Sequence, residues 1–172
     1  MLSGQQLVQL QQAQAKLDHM IFTRHHTSRE HTYGQRRLAL MVELAELANV
    51  ERTFKYWCRP RPCNRSQLVE EYVDALHFLL SISLDFKVDF SKTKVVNISD
   101  DPAVRRQSTP ALFLTLFTNC QQLCSNTNLV GFWRLLRLFF RLAVSLRLPD
   151  DAIWQAYWTK HQINHQRQLM LY

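Results

Sequence analysis

The chain has 172 residues, enough for one domain with a sizeable core and short for two. Hydrophobic residues make up 47% of it, and with only 3 glycines and 5 prolines it favours helices over strands and turns. The net charge of +7 fits either nucleic acid or a small polyanion, but no zinc-finger, basic heptad or RNA-binding pattern accompanies it, so we expect no nucleic-acid partner.

Several features bear on the compartment. No uninterrupted apolar run is long enough to span a bilayer, and the first residues lack the basic start and apolar core of a signal peptide. We therefore expect a cytoplasmic protein without a membrane partner. Neither cysteine pair has a zinc-finger spacing, so reduced thiols are expected at Cys58, Cys63, Cys120 and Cys124.

The first predicted helix runs from Gln5 to about Phe22, where apolar residues recur at helical spacing. Gln14 is the polar member of that stripe, and periodicity alone places it at the edge of the buried face. The polar stretch 23–32 is predicted to be a loop.

The second predicted helix runs from about Tyr33 to Tyr56. Between Leu38 and Val50 its only charges are Glu43 and Glu46, and an offset of three residues places both on one face. A connector with two prolines follows, since the residue before a proline is disfavoured in a helix.

The third predicted helix has Ser66 as its N-cap, in the manner of a capping box. From Gln67 to Leu84 its only charges are acids, and two of them, Glu71 and Asp74, again share a face. The third acid of this segment, Glu70, directly precedes Glu71.

The two acid pairs indicate a metal site. A single pair of this kind is most simply a solvent-exposed stripe. Two pairs, each on an otherwise apolar helix, instead favour a site where the acids of both helices face one another. Four carboxylates between such helices would repel one another unless a hard cation compensated them. Mg²⁺ prefers oxygen ligands and retains positions for water or phosphate, so the pattern predicts a Mg²⁺ site for a phosphorylated ligand.

The middle of the chain is less periodic. Asp101–Pro102 could begin a helix that ends near Gln107, and Pro110 could begin another that ends near Cys124. Asn128 to Leu146 is predicted to be an amphipathic helix with a solvated basic face formed by Arg134, Arg137 and Arg141.

The last predicted helix begins at Pro149 and carries a second set of polar residues. Lys160, Asn164 and Arg167 lie at offsets of four and three, so they share a face. A lysine, an amide and an arginine in a row can bind successive phosphates, although alone they would be an ordinary exposed face.

These segments resemble a known family. ExxE at 43–46 and ExxD at 71–74 are similar to the signature of the all-α nucleoside triphosphate pyrophosphohydrolase superfamily. The strings LALMVELAELAN, FKYW, EEYVDALHFLLSI and the closing helix resemble the dimeric, all-helical dUTPases. The glycine that precedes the final tyrosine in the family is Leu171 here.

The resemblance implies an all-α helical bundle of the all-α NTP pyrophosphohydrolase type, a single domain over residues 1–172, with residues 87–127 as a mobile helical subdomain. It implies a homodimer that hydrolyses dUTP, and dUDP, with two or more Mg²⁺ ions per site. Glu43 and Glu46 would be catalytic, and these two with Glu71 and Asp74 would hold the metal. The substrate-binding residues would be Gln14, Asn49, Lys55, Trp57, Lys160, Asn164, Arg167 and Tyr172.

Two alternatives remain open on the sequence. A relative with the same acids could act on dCTP or a non-standard purine triphosphate, because uracil selection depends mainly on Gln14 and the closing motif. A non-catalytic helical interaction protein could retain the acids as a relic, although a relic would be free to lose them.

Overall fold

In the computed structural model, residues 2–59, 62–92, 107–125 and 128–170 are described, and within them the chain forms six α-helices and no β-strand. A short 3₁₀ turn occupies Phe90–Lys92. None of the helices in these ranges combines the length and apolar character needed to cross a membrane. The predicted all-α fold is confirmed. The helices are α1 (Gly4–Arg24), α2 (Tyr33–Glu51), α3 (Arg65–Asp85), α4 (Thr109–Ser125), α5 (Leu129–Ser145) and α6 (Asp150–Leu169).

Two helix ends differ from the sequence prediction. Helix α2 ends at Glu51 rather than Tyr56, because Arg52 adopts a left-handed conformation with φ of 74° that stops the helix. Helix α3 begins at Arg65, and its N-cap is Asn64 rather than Ser66. The Asn64 side chain accepts hydrogen bonds from the backbone N–H groups of the second and third helical residues, which satisfies donors that the helix itself cannot.

The later helices follow the prediction closely. Helices α4 and α5 match the predicted spans to within a residue or two, and Asn128 caps α5. Arg134 and Arg137 are exposed as expected, but Arg141 is only partly exposed. The predicted helix that begins at Asp101 lies outside the described residues, as do residues 93–106 and 126–127 of the predicted mobile subdomain.

Helix α3 lies at the centre of the bundle. It contacts α2, α1, α6 and α5, and most of its apolar side chains are buried. The ring of Tyr72 stacks on Phe139 of α5 with centroids 4.3 Å apart. Helices α4 and α5 pack on each other, and α4 also contacts α2. Because α1, α2 and α6 all surround the same central helix, polar residues on their inner faces can meet in one place.

Candidate active site

An acid cluster forms between α2 and α3. The structure brings together Glu43 and Glu46 of α2 and Glu71 of α3, with one carboxylate oxygen from each lying within 4.8 Å of the others. Offsets of three residues place each helix's acids on one face, and the packing of α2 on α3 joins the two faces. Three of the four predicted acids therefore converge at metal-ligand spacing.

The fourth predicted acid has a different neighbour. A carboxylate oxygen of Asp74 lies 2.6 Å from Nζ of Lys160, which reaches it from α6. The same ammonium group is 3.3 Å from a carboxylate oxygen of Glu70. Lys160 was expected to bind phosphate and Asp74 to bind metal, but in this structure the two form an ion pair. The pair connects α6 to α3 beside the acid cluster.

Burial and mutual repulsion disfavour the charged forms of these acids. Burial raises the pKa of Glu43 to about 7, with further contributions from the charges of Asp74, Glu46 and Glu71. Burial and the neighbouring acids also raise the pKa of Glu71. The pKa of Asp74 is raised by burial, even though its hydrogen bond to Lys160 acts in the opposite direction. A cluster whose members resist ionisation fits a divalent cation, which would stabilise the charged forms.

A cavity of about 380 Å³ opens beside the cluster, and residues of α1, α2, α3 and α6 line it. This volume falls in the range of small-ligand sites. Glu43, Asp74, Lys160, Asn164 and Arg167 form its charged and polar side. The remaining wall mixes apolar side chains with polar ones from α1, α2 and α3. That wall includes Gln14, Leu17, Asp18, Ile21, Phe22, Ala39, His77 and Phe78.

Gln14 is buried rather than at the edge of its helix, since only 4% of it is exposed. Its amide makes three side-chain contacts: Nε2 donates to Asp18 at 2.8 Å, and Oε1 lies 2.7 Å from Nδ1 of His77 and 3.2 Å from the hydroxyl of Tyr157. The edge placement was wrong because periodicity registers polarity and does not register a hydrogen-bond partner on another helix.

Three predicted substrate residues, Asn49, Lys55 and Trp57, do not line this cavity. The side chain of Lys55 donates to Asn49, one turn beyond Glu46 on α2. Trp57 is 63% exposed and packs edge-on against two neighbouring aromatic rings. Lys55 lies within the predicted span of α2 and Trp57 directly after it, but in the structure both follow the left-handed end of the helix and lie in a turn. Tyr172 lies outside the described residues.

Sequence reasoning missed three buried polar residues around Gln14: Asp18 and His77, which line the cavity, and Tyr157, which contacts Gln14 from α6. Asp18 is 4% exposed and His77 is 5% exposed. Helical spacing could have suggested two of them, since Asp18 is four residues after Gln14 and His77 is three after Asp74. Tyr157 carries the corresponding signal on the last helix, three residues before Lys160.

The comparison with protein families gives a match over nearly the whole chain. The model of a family described as dUTPase matches residues 6–172, a span that contains the acid cluster, the cavity and the last helix. No individual curated protein was found to match the chain.

Proposed function

The chain belongs to the dUTPase family, and on that premise we propose that it hydrolyses dUTP to dUMP and pyrophosphate in a Mg²⁺-dependent reaction. The observation that carries this proposal is the junction of the acid cluster with the cavity. Glu43 lies in both, so a nucleotide in the cavity would extend its phosphates toward the acids.

The acids would bind the metal, and one of them would also act as the general base. Glu43, Glu46 and Glu71 would hold Mg²⁺, with Asp74 at the edge of the set. When bound, the metal supplies Lewis-acid polarisation of phosphoryl oxygens and lowers the pKa of its water. We assign Glu46 to orient the attacking water and accept its proton.

The closing helix supplies the positive charge. Lys160 and Arg167 line the cavity on one face of α6, with Asn164 between them. Negative charge increases on the leaving pyrophosphate during cleavage, and cations placed beside it lower the energy of that state. Lys55, held by Asn49 one turn beyond Glu46, is a further candidate for phosphate contact.

We also propose a homodimer that acts in the cytoplasm. Leu38 and Val42 lie one turn apart on α2 and are 63% and 45% exposed in the single chain. A second copy packed against α2 would remove both side chains from water. Among the described residues, Cys58 and Cys63 are free thiols, which fits a reducing compartment.

A nucleotide panel tests the proposed reaction. The purified protein is incubated with Mg²⁺ and, separately, dUTP, dCTP, dTTP, dATP and a deaminated purine triphosphate, and the products are separated by ion-exchange chromatography. We expect dUMP and pyrophosphate from dUTP at a much higher kcat/KM than from the others. A preference for dCTP or the deaminated purine would assign the site to a related pyrophosphohydrolase. No hydrolysis of any nucleotide would contradict an enzymatic role.

A further inference from the structure

Helix α6 carries two histidines, His161 and His165, that do not line the cavity beside the acid cluster. They lie four positions apart, so both rings project from the same face of the helix. Their ring centroids are 4.7 Å apart, and the ring planes are inclined at 68° to each other. Two histidines at this helical spacing can bind one metal ion, as they do on the zinc-binding helix of many metalloproteases.

The separation of the rings fits two ligands of one ion. A transition metal lies about 2.0–2.1 Å from a histidine nitrogen, and so about 3.2 Å from the centre of that ring. Two such rings at angles of about 90–109° around the ion have their centres about 4.5–5.2 Å apart. The observed 4.7 Å falls within that range, so the helix already holds the two rings at a chelating distance.

The protein leaves the ring nitrogens of both residues uncommitted. Nδ1 of His161 is buried and has no hydrogen-bond partner among the described residues. Nε2 is therefore the nitrogen of that ring that a ligand can reach. His165 likewise forms no hydrogen bond or ion pair within the described part of the chain. A neutral imidazole has one nitrogen lone pair, and in each ring this lone pair is available to a metal.

His161 is held in place by the aromatic residues around it. Its ring stacks on Tyr157 with centroids 5.8 Å apart and meets Trp158 edge-on at 5.6 Å. Tyr157 is fully buried, and its hydroxyl lies 3.1 Å from the backbone carbonyl oxygen of Leu10 on α1. Burial, with a further contribution from His165, lowers the pKa of His161, so its ring is neutral at pH 7. One of the two ligands is thus preoriented in its metal-binding form.

A second pocket, of about 490 Å³, receives both rings between α1 and α6. Gln9 and Gln12 of α1 line it, and both are exposed, so amide oxygens and water can complete the coordination of a bound ion. Lys16 also lines this pocket. Because Lys16 is exposed, its long side chain can keep the ammonium group in water, away from the ion.

We propose that His161 and His165 form a second metal site, which binds a divalent transition ion such as Zn²⁺ and is separate from the acid cluster. Imidazole nitrogen suits Zn²⁺, Ni²⁺ and Cu²⁺, whereas Mg²⁺ requires oxygen ligands and should not compete. The acid cluster offers carboxylate oxygens, so the two sites select different ions. This inference goes beyond the proposed function and does not depend on it.

The site would connect a bound ion to the structure of α6. His161 and His165 directly follow Lys160 and Asn164, which line the cavity beside the acid cluster. An ion bound by both histidines therefore bridges the turn of α6 that carries these two residues, and it binds only the helical form of that turn. Because a ligand that binds only the native state stabilises it, the ion should raise the Tm.

The test measures Zn²⁺ binding to the full chain by isothermal titration calorimetry in saturating Mg²⁺, so that the acid cluster does not take up Zn²⁺. We expect one tightly bound equivalent of Zn²⁺ per chain and a higher Tm when Zn²⁺ is added. His165→Ala removes one ligand at a partly exposed position, where the fold should tolerate the change. Loss of a residue that merely supports a metal ligand already costs about 10–100-fold in affinity, so this variant should bind Zn²⁺ at least about tenfold more weakly.

Two control variants separate the pair from other sources of Zn²⁺ binding. His165→Ala combined with Gln166→His keeps the number of histidines but places the second one five positions after His161, on a different side of the helix. It should bind as weakly as His165→Ala. His26→Asn removes an exposed histidine at a residue whose φ of 48° asparagine tolerates. It should bind Zn²⁺ like the unmodified protein.

The outcomes distinguish the pair from any other site. The proposal would be overturned if the unmodified protein bound no Zn²⁺, if His165→Ala bound it equally well, or if the shifted histidine restored tight binding. Loss of binding in His26→Asn would assign the ion to exposed histidines and would also overturn it. Glu46→Gln should retain the Zn²⁺ equivalent, and loss of binding there would instead assign the ion to the acid cluster.

Discussion

Nζ of Lys160 on α6 lies 2.6 Å from a carboxylate oxygen of Asp74 on α3, and both side chains are about 15% exposed. Burial lowers the pKa of Lys160, but the hydrogen bond and charge of Asp74, with those of Glu70, outweigh it and raise the pKa overall. The ammonium group therefore acts as a counterion within the acid site of the metal-free protein.

Removal of that counterion should destabilise the metal-free protein. Lys160→Met leaves Asp74 half-buried beside the other acids, and we expect a loss of about 1–3 kcal/mol in unfolding free energy in EDTA. Urea denaturation measures it. Saturating Mg²⁺ should reduce the difference, because a bound cation compensates the same charge.

The control for this experiment is Lys92→Met. Lys92 also pairs with an acid, Asp89, at 3.0 Å, but its side chain is 84% exposed. Exposed pairs contribute little, so this variant should match the unmodified protein. Equal stability of the Lys160→Met and unmodified proteins in EDTA would show that the pair does not stabilise the empty site.

The raised pKa of Glu43 predicts a pH-dependent stability without metal. Its pKa is about 7 in the folded chain and 4.5 ordinarily, so the folded state binds the proton more tightly than the unfolded state does. Stability is therefore lost as pH rises from about 4.5 to about 7. Glu43→Gln removes this dependence, and thermal melts in EDTA at about pH 5 and about pH 8 measure it.

The comparison with the unmodified protein isolates Glu43. Buried His77 acts in the opposite direction, because its depressed pKa favours the folded state as pH rises through its ordinary value. We expect Glu43→Gln to gain melting temperature over the unmodified protein at the higher pH and little at the lower. Asp151→Asn, on an exposed acid of α6, is the control. A uniform gain at both pH values would refute the electrostatic explanation.

A diphosphate should also be a substrate. dUDP retains the α- and β-phosphates that would lie between the acid cluster and the cations of α6, so we expect dUMP and phosphate from dUDP with Mg²⁺. Colorimetric phosphate release measures this reaction. Resistance of dUDP, together with rapid hydrolysis of dUTP, would show that the γ-phosphate is required for productive binding.

The proposed dimer can be tested on α2. Leu38→Glu combined with Val42→Glu places two charges on its exposed apolar face, and sedimentation velocity should show a shift from dimer to monomer. Val130→Glu is a matched control, because Val130 is an exposed apolar residue on α5, 75% exposed. An unmodified protein that sediments as a monomer would rule out the dimer.

The sequence predicted the acid cluster better than the polar network around Gln14. Glu43, Glu46 and Glu71 are among the few charges of two apolar helices, so periodicity predicted which face of each helix carries its acids, and the packing of α2 on α3 joins the two faces. The network around Gln14 could not be predicted in the same way. His77 and Tyr157 resemble ordinary core residues in sequence, and their contacts to Gln14 depend on how α3 and α6 pack against α1.

Helix ends were predicted less well for a local reason. The end of α2 depends on the left-handed conformation of Arg52, a residue type with no special preference for it. The start of α3 depends on Asn64, which competes with Ser66 two residues later as a capping residue. Asn and Ser are both good N-cap residues, so residue type alone does not decide between the two positions.

The central claim is that the acid cluster of α2 and α3 is the metal-dependent hydrolytic centre. The most direct measurement is pyrophosphate release from dUTP by the unmodified protein and by Glu46→Gln, each with Mg²⁺ and with EDTA, with circular dichroism as the check on folding. We predict release only from the unmodified protein with Mg²⁺, and a folded Glu46→Gln variant at least about a hundredfold slower. Near-normal release by that variant, or release that persists in EDTA, would contradict the claim.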